Sequence, residues 1–450
     1  MRQETTVDRS HHAGTPGRIK RVALWLVAVA AIGLGAFAAL AWKPAIAEGP
    51  TPPATSFPPA VIAQGARLAA AGFCEGCHTI AGGKPLAGGY AMNTGFRTIY
   101  STNISPDRET GIGAWTEEAF RRAMREGVAR DGSHLFPAFP FDHFNQLSDE
   151  DIHAIYAYVM TRAPVHQPDH PNDMPFPFGI RALQAGWKLL FFHPARFVAI
   201  SDESARWNRG AYLAEGLSHC SACHTPRGIL GQELSTRRYQ GASVDAWFAP
   251  ALTASNASPV PWTSDELHRY LTTGISKYHG TAAGPMASVS RGLASLAPED
   301  QQALVTYIES LGAGDSRADT TGRSVATALE ADTADHQRTD SPGGRLFATA
   351  CASCHYNRAP DVLPNRPDLG LNSAVQLDDP SNLIHVVLEG IDAKDGAPGV
   401  VMPGFARGMS DQDVALIASY LRATRTQQPP WSDLAGQVAR IRAQKDGESR

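Results

Sequence analysis

The sequence predicts an all-α protein in which three tandem helical units follow an N-terminal transmembrane helix. Three observations support this prediction: an uncharged apolar run near the N-terminus, a Cys-x-x-Cys-His pattern that occurs three times, and two helix-like stretches after each copy of the pattern. The length of 450 residues agrees with three units, because a domain takes about 150 residues.

The apolar run is Val22–Trp42, which has 21 residues and no charge. At about 1.5 Å per residue it can cross a hydrocarbon core of about 30 Å. Arg18, Lys20 and Arg21 precede it, and this basic cluster favours a cytoplasmic N-terminus with the rest of the chain exported. Cleavable signals usually have shorter apolar regions, although the Ala-Ile-Ala at 45–47 suits cleavage. A retained anchor is favoured, and a cleaved signal stays open.

The composition is that of a folded protein. Hydrophobic residues make up 43% of the chain and charged residues 19%, which excludes a mainly disordered chain. The 40 basic and 44 acidic side chains give a net charge of -4. This balance excludes a strongly basic nucleic-acid binder.

All six cysteines belong to the repeated pattern, which attaches c-type haem covalently. No thiol is left over for a disulfide, and structural zinc is disfavoured because it needs four ligands per site. The predicted residues that bind three haems are Cys74, Cys77, His78, Cys220, Cys223, His224, Cys351, Cys354 and His355.

The units repeat the same helix signals. Thr116 and Thr263 each stand before an acidic stretch that opens a helix, and Ser148, Pro298 and Ser410 open the final helix of the three units. Hydroxyl side chains and early acidic residues suit helix N-termini, because they satisfy free backbone N–H groups and oppose the helix dipole. The same helical unit is therefore expected three times.

The spacing after each first helix indicates the second axial iron ligand. Twelve residues after Gly274 comes Met286, and twelve residues after Gly390 comes Met402. A Met thioether is a common sixth ligand of c-type haem and raises its reduction potential. The predicted iron ligands are His224 with Met286 and His355 with Met402 in the second and third units. Met409 is the weaker alternative in the third unit.

The first unit breaks this rule. Twelve residues after Gly127 stands Phe139, which cannot ligate iron. His143 lies four residues further on and is the favoured sixth ligand opposite His78, which would give a bis-histidine haem. His134 and Met124 are alternatives, as are a five-coordinate haem and an ordinary surface role for His143.

Three segments connect or follow the units. Pro164–Pro177 is proline-rich, and Ile180–Phe192 has apolar residues at helical spacing, which suits either a membrane surface or partner, or packing between units. Residues 312–342 have many charges and few large aliphatic residues, which predicts a mobile tether. Residues 427–450 are expected to form a C-terminal tail.

Long stretches of the chain resemble the three-haem cytochrome c subunits of membrane-bound periplasmic dehydrogenases. The resemblance covers nearly everything from Trp42 to about Thr424 and rests on WKPAIA, YSTNISPDRETGIGAW, AMREGVARDGSHLFPAFPFDHF, FPFGIRALQAGWKLLF and RGAYLAEGLSHCSACHTPRG. It implies three tandem cytochrome c domains that take electrons from a separate dehydrogenase subunit. The acceptor would be membrane quinone or a terminal oxidase, and the location the periplasmic side of the inner membrane.

Within this family, Phe139 and the surrounding PAFPFDHF resemble the branch that serves molybdenum enzymes. The resemblance implies a partner that oxidises an aldehyde or an N-heterocycle, with an iron-sulfur subunit; alcohol, gluconate or sorbitol dehydrogenase is the alternative. The expected boundaries are 1–21 cytoplasmic, 22–42 anchor, 60–163 first domain, 164–200 connector, 201–311 second domain, 312–342 tether, 343–426 third domain and 427–450 tail.

A rival prediction is an enzyme proper, such as a multihaem peroxidase with an open haem site. Phe139 keeps this possibility open, because it leaves the first haem without an obvious sixth ligand. A pure electron carrier needs no proton-transfer catalyst, and the chain has no dinucleotide fingerprint or phosphate loop to suggest a substrate pocket. The electron-transfer subunit is the favoured prediction, with the first haem lowest in potential.

Overall fold

The computed structural model of the protein describes residues 16–312, 321–335, 340–356, 367–391 and 402–448. Within these ranges the fold is mainly helical, and its strands form four two-stranded antiparallel hairpins. The mainly helical fold expected from the sequence is confirmed.

The first unit follows the N-terminal helix and contains one hairpin. Its elements are α1 Pro16–Ala41, α2 Pro59–Ala71, α3 Cys74–His78, β1 Ala91–Thr94, β2 Arg97–Tyr100, α4 Glu117–Glu126, α5 Phe141–Phe144, α6 Asp149–Met160 and, in the connector, α7 Gln184–Phe191.

The second unit has a similar order of elements, with a π-helical turn and a second hairpin added. It contains α8 Ala205–Ala211, a π-helical turn over Tyr212–Leu217, α9 Cys220–His224, β3 Ala242–Val244, β4 Trp247–Ala249, α10 Ser264–Thr273, β5 Ile275–Ser276, β6 Gly280–Thr281, α11 Gly284–Leu293 and α12 Pro298–Ser310.

The third unit follows a further helix, α13. The remaining elements are α13 Thr321–Asp335, α14 Pro342–Ala350, α15 Ala352–His355, α16 Ser373–Gln376, α17 Ser381–Glu389, β7 Gly390–Ile391, β8 Met402–Pro403, α18 Asp411–Arg425 and α19 Leu434–Glu448.

The helices begin where the hydroxyl and proline signals predict. The side chains of Thr116, Thr263 and Ser148 accept hydrogen bonds from backbone N–H groups at the starts of α4, α10 and α6. Ser410 forms a reciprocal capping box with Asp413 at the start of α18. Each cap satisfies a donor that the first helical turn leaves free.

A glycine lies at the same helix crossing in each unit. A Cβ on Gly65 of α2 would stand 1.8 Å from the Ala154 carbonyl oxygen of α6. The equivalent positions are Gly210 of α8 against Ala303 of α12, and Gly343 of α14 against Leu416 of α18. A tyrosine one turn further on packs beside each glycine. The two helices at each of these crossings (α2 with α6, α8 with α12 and α14 with α18) are therefore too close for any side chain at the glycine position.

The first two units share one hydrophobic core. It includes Leu68 and Ile155 of the first unit and Leu213 and Leu304 of the second, all at most 3% exposed. The buried Tyr212 hydroxyl donates across the boundary to Asp151 at 2.6 Å. The first and second units are thus packed as a single body.

The third unit has its own core and docks on the second through hairpin β3–β4. Asn382 bonds both the N–H and the carbonyl of Phe248 at 2.8 Å. The His385 ring stacks on Trp247 with 4.4 Å between centroids. Trp247 also lies against Gly284 at the start of α11, where a Cβ would be 2.4 Å from the indole.

The segments predicted as a mobile tether and as a C-terminal tail each contain a helix. α13 lies inside the supposed tether, and its Ala328 packs with Val260 and Leu371 because small and aliphatic residues of α13 recur at helical spacing. The rest of the tether, 313–320 and 336–339, lies outside the described residues. α19 lies inside the supposed tail and buries Val438 in the third core.

Acid is expected to destabilise the second unit through His279. This ring is 5% exposed, stacks on Trp262 at 3.7 Å and bonds Ser258 at 2.6 Å. Burial lowers the pKa of His279 to about 3. The unfolded chain therefore binds a proton that the folded chain does not, and stability falls between pH 6.5 and pH 3 by at most about 5 kcal/mol.

Guanidinium unfolding followed by circular dichroism across this pH range tests the assignment. His279→Phe keeps a ring on Trp262 but cannot take a proton, so its stability should fall less steeply with acid. His166 is 61% exposed, and His166→Gln should behave as the unchanged protein. Parallel acid curves for His279→Phe and His166→Gln would contradict the assignment.

Candidate haem sites

The attachment patterns form single helical turns. α3 and α9 span the whole pattern in the first two units, and α15 covers Ala352–His355 in the third, directly after Cys351. Phe73 and His219 precede the first two turns in the left-handed conformation. One helical turn places residues three and four apart on the same side, so each pair of sulfurs stands beside its histidine.

Backbone carbonyls orient the histidines of the first two patterns. His78 Nδ1 bonds the Thr102 carbonyl at 2.7 Å, and His224 Nδ1 bonds the Pro250 carbonyl at 2.6 Å. Both carbonyls follow the second strand of a hairpin. Because Nδ1 must donate to a carbonyl, Nε2 is left as the acceptor. This arrangement is typical of a metal-bound imidazole.

The thiols are in an environment that keeps them neutral. Burial raises the pKa of Cys74, Cys77 and Cys220 to about 12 and that of Cys351 to about 11. His219, directly before Cys220, lies with its Nε2 3.4 Å from the Gly72 carbonyl oxygen, two residues before Cys74. The attachment turns of the first and second units therefore lie near each other in the shared body.

The two predicted methionine ligands lie in different elements, but both precede the final helix of their unit. Met286 lies in the first turn of α11 and packs against the shared core. Met402 begins β8, pairs with Ile391 and packs against the third core, as does its alternative Met409. Both residues are half-buried, and their role as iron ligands stays a prediction.

Two alternatives for the first unit have structural roles. Met124 is 4% exposed inside the shared core. His134 Nε2 bonds the Ala41 carbonyl at 2.9 Å, and His134 Nδ1 meets Lys188 Nζ at 3.0 Å. Phe139 packs on Phe144 at 5.4 Å. Both ring nitrogens of His134 are therefore already occupied.

His143 lies between the first and second units. Its Nδ1 donates to the Glu215 carbonyl and its Nε2 bonds the Glu233 carboxylate, both at 2.8 Å. The Glu215 carbonyl belongs to the π-helical turn, in which Ser218 N–H bonds Leu213 five residues earlier. His143 thus has the same Nδ1–carbonyl bond as His78, while Glu233 competes for its Nε2.

The partner Glu233 was not found from the sequence. Burial raises its pKa, but the hydrogen bond and the charge of His143 outweigh burial and hold the pKa below its ordinary value. Ser221 in the second attachment turn donates to the other carboxylate oxygen at 2.8 Å. No local signal indicates this contact, because 90 residues separate His143 from Glu233.

Comparison with known proteins gives the family. The cytochrome c family model matches residues 62–163 and 341–425. The chain is 35% identical over 393 residues to the fructose dehydrogenase cytochrome subunit of Gluconobacter japonicus, with 83% of this chain and 80% of that protein covered. The chain belongs to the family of dehydrogenase cytochrome c subunits. The chain is also 36% identical to the gluconate 2-dehydrogenase cytochrome c subunit of Pantoea cypripedii, and the match covers 81% of this chain and 86% of that protein.

A further relative is much longer. The present chain is 44% identical over 431 residues to a nicotinate dehydrogenase subunit of Pseudomonas putida. The match covers 94% of this chain but 36% of that protein. The chain therefore spans about a third of the length of this relative.

The donor sets of the cytochrome subunit fit covalent haem c. Two neutral thiols and an imidazole with a free Nε2 stand on one turn in the first two units, and the third turn carries the same residue types. The hydrophobic cores directly beside Cys74, Cys220 and Cys351 provide apolar surroundings. A haem in each site would supply a one-electron iron couple.

Proposed function

We propose that this chain carries three c-type haems in three tandem cytochrome c domains and passes electrons from a dehydrogenase catalytic subunit to membrane quinone or a terminal oxidase. The main support is that the site is repeated. Each unit has one turn with the Cys-x-x-Cys-His residues and one helix crossing at which a glycine contacts the backbone of the other helix. The domains are 60–163, 201–311 and 343–426. The N-terminal helix would anchor them on the periplasmic side of the inner membrane.

The chain's own residues would bind the haems and set their potentials. The cysteines hold the groups in place, and Thr102 and Pro250 fix the tautomer of their histidines. Met286 and Met402 are the proposed soft ligands that raise the potentials of the second and third haems. His143 is the proposed ligand of the first haem, which it would keep lowest in potential.

The partner is proposed to oxidise an N-heterocycle or an aldehyde with molybdenum and an iron-sulfur subunit. The name of the Pseudomonas putida relative supports this choice, as does Phe139 in place of a ligating residue. Relatives named for fructose, gluconate and alcohol dehydrogenases support the alternative partner. Co-purification from solubilised membranes, followed by identification of the attached large subunit, distinguishes the two.

Replacing both cysteines of any one pattern with serine is expected to remove one haem of three. The intact mass and haem staining after denaturing electrophoresis measure the number of covalent haems. Ser353 lies between Cys351 and Cys354 and is exposed, so Ser353→Ala should keep all three. A matured protein with the mass of its apoprotein, or a double-serine variant that keeps three haems, contradicts the proposal.

A catalytic first haem is the second candidate, because Phe139 stands at the sequence spacing at which the other units have methionine. Rapid binding of carbon monoxide to the reduced protein, or of peroxide to the oxidised protein, would favour it. Inertness toward both would favour the electron carrier.

A further inference from the structure

Exposed large hydrophobic side chains are concentrated in one stretch of the described chain and in a loop bonded to it. Outside α1 and Trp42 there are eleven, of which eight belong to residues 176–200 and two to the loop of Ile229 and Leu230. An apolar cluster of this kind on a folded protein marks a contact surface. We name it the connector face: Phe176, Phe178, Ile180, Leu183, Leu189, Leu190, Val198, Ile200, Ile229 and Leu230.

The polar side of α7 is fixed to both units. Lys188 Nζ donates to the carbonyls of Glu126 and Gly127, which end α4, at 2.5 and 2.7 Å. Trp187 Nε1 donates to the Leu230 carbonyl of the second unit at 2.9 Å. Leu189 and Leu190 are nevertheless 68% and 62% exposed. The helix is therefore held through Trp187 and Lys188, while Leu189 and Leu190 stay exposed.

The connector face continues onto the N-terminal helix. Phe37 of α1 lies 3.6 Å from the place a Cβ would take on Gly186 of α7. Phe37 precedes the last residue of α1, Ala41, by four residues, or about 6 Å along the axis. The contact with α7 therefore lies within the apolar run of α1. If this part of α1 is surrounded by lipid, α7 is next to the same lipid.

One further contact and the residues directly after α1 indicate where this junction lies along the helix axis. His134 of the first unit bonds the Ala41 carbonyl at the end of α1 at 2.9 Å. Trp42 is 71% exposed directly after α1, and Lys43 follows it. Aromatic and basic residues at the end of an apolar span are typical of the membrane interface. Lipid is consequently the occupant that the position of the connector face favours.

We propose that the connector face lies in the interfacial layer of the bilayer that α1 crosses. The first and second units are then seated on the membrane and do not swing freely from α1. Ile229 and Leu230 bring the second unit into the same contact, since their loop is bonded to Trp187. The proposal rests on α1 as a retained anchor, as given under Proposed function.

Spin labelling of the full haem-loaded protein in phosphatidylethanolamine–phosphatidylglycerol vesicles tests the proposal. Single nitroxides are placed by Leu190→Cys and Ile229→Cys, with Gln302→Cys on the exposed side of α12 as the control. The native cysteines are blocked by their haem thioethers. Collision with oxygen, relative to collision with a water-soluble nickel chelate, should be at least threefold higher at 190 and 229 than at 302.

Equal accessibility of all three labels to the nickel chelate would overturn the proposal. Labels at 190 and 229 that are shielded from both reagents only after a dehydrogenase subunit is added would also overturn it, in favour of a protein interface. Haem staining of the same samples reports on the proposed electron-transfer function separately. A failed membrane contact is therefore distinguishable from a failed haem assignment.

Discussion

Gly65→Ala is expected to destabilise the shared body of the first two units by about 3 kcal/mol. The new methyl carbon would stand 1.8 Å from the Ala154 carbonyl oxygen and 2.9 Å from Tyr158 Cβ. Neither neighbour is the flexible end of a side chain, so α2 and α6 must move apart. Overpacking of this kind typically costs about 1–3 kcal/mol, and a backbone neighbour places it at the upper end. Guanidinium unfolding followed by circular dichroism measures the loss.

Gly95→Ala is the matched control, because a Cβ there meets no atom within 4 Å. It should change the free energy of unfolding by less than about 0.5 kcal/mol. Gly210→Ala and Gly343→Ala should resemble Gly65→Ala, since their methyl groups would also meet a carbonyl oxygen. A Gly65→Ala protein as stable as the Gly95→Ala protein would show that the crossing adjusts without cost.

His143→Ala is expected to change the absorption spectrum of one haem and to leave the other two unchanged. In the haem-loaded protein the proposed role of His143 requires its Nε2 to bind iron in place of Glu233. The Nδ1 bond to the Glu215 carbonyl at 2.8 Å orients the ring in the way that Thr102 orients His78. Phe139→Met combined with His143→Ala should restore a six-coordinate first haem of higher potential.

Glu233→Gln distinguishes two roles of His143, that of an iron ligand and that of the partner of Glu233. If His143 binds iron, this variant should retain the spectrum of all three haems, because Glu233 is then not a ligand. If His143 serves only to pair with Glu233 across the units, both single variants should lower stability and leave every haem spectrum unchanged. Spectropotentiometric titration of the two variants side by side decides between these roles.

Local signals predicted most of the fold. Thr116, Thr263, Ser148 and Ser410 indicate their helices because a cap depends only on the next few residues. α13 and α19 were missed, since their few buried residues pack against distant parts of the chain, such as Leu371 for α13. The four short hairpins were missed for the same reason: two to four residues carry no readable alternation.

The residues of the candidate sites also differ in how far the sequence predicts them. The cysteines and histidine of each pattern lie within five residues, so the sequence alone predicts them as haem-binding residues. The partners that orient or compete for the imidazoles come from far along the chain: Thr102 for His78, Pro250 for His224 and Glu233 for His143. Such contacts depend on the tertiary fold, and no pattern of residue types reveals them.

The indole of Trp247 connects the third unit to the methionine side of the second. One face stacks on His385, and Gly284, two residues before Met286, lies against the ring. Detachment of the third unit would leave the indole without its stacking partner and free it to tilt away from α11. We therefore expect the midpoint potential of the second haem to depend on whether the third unit is docked, even when the third haem exchanges no electron.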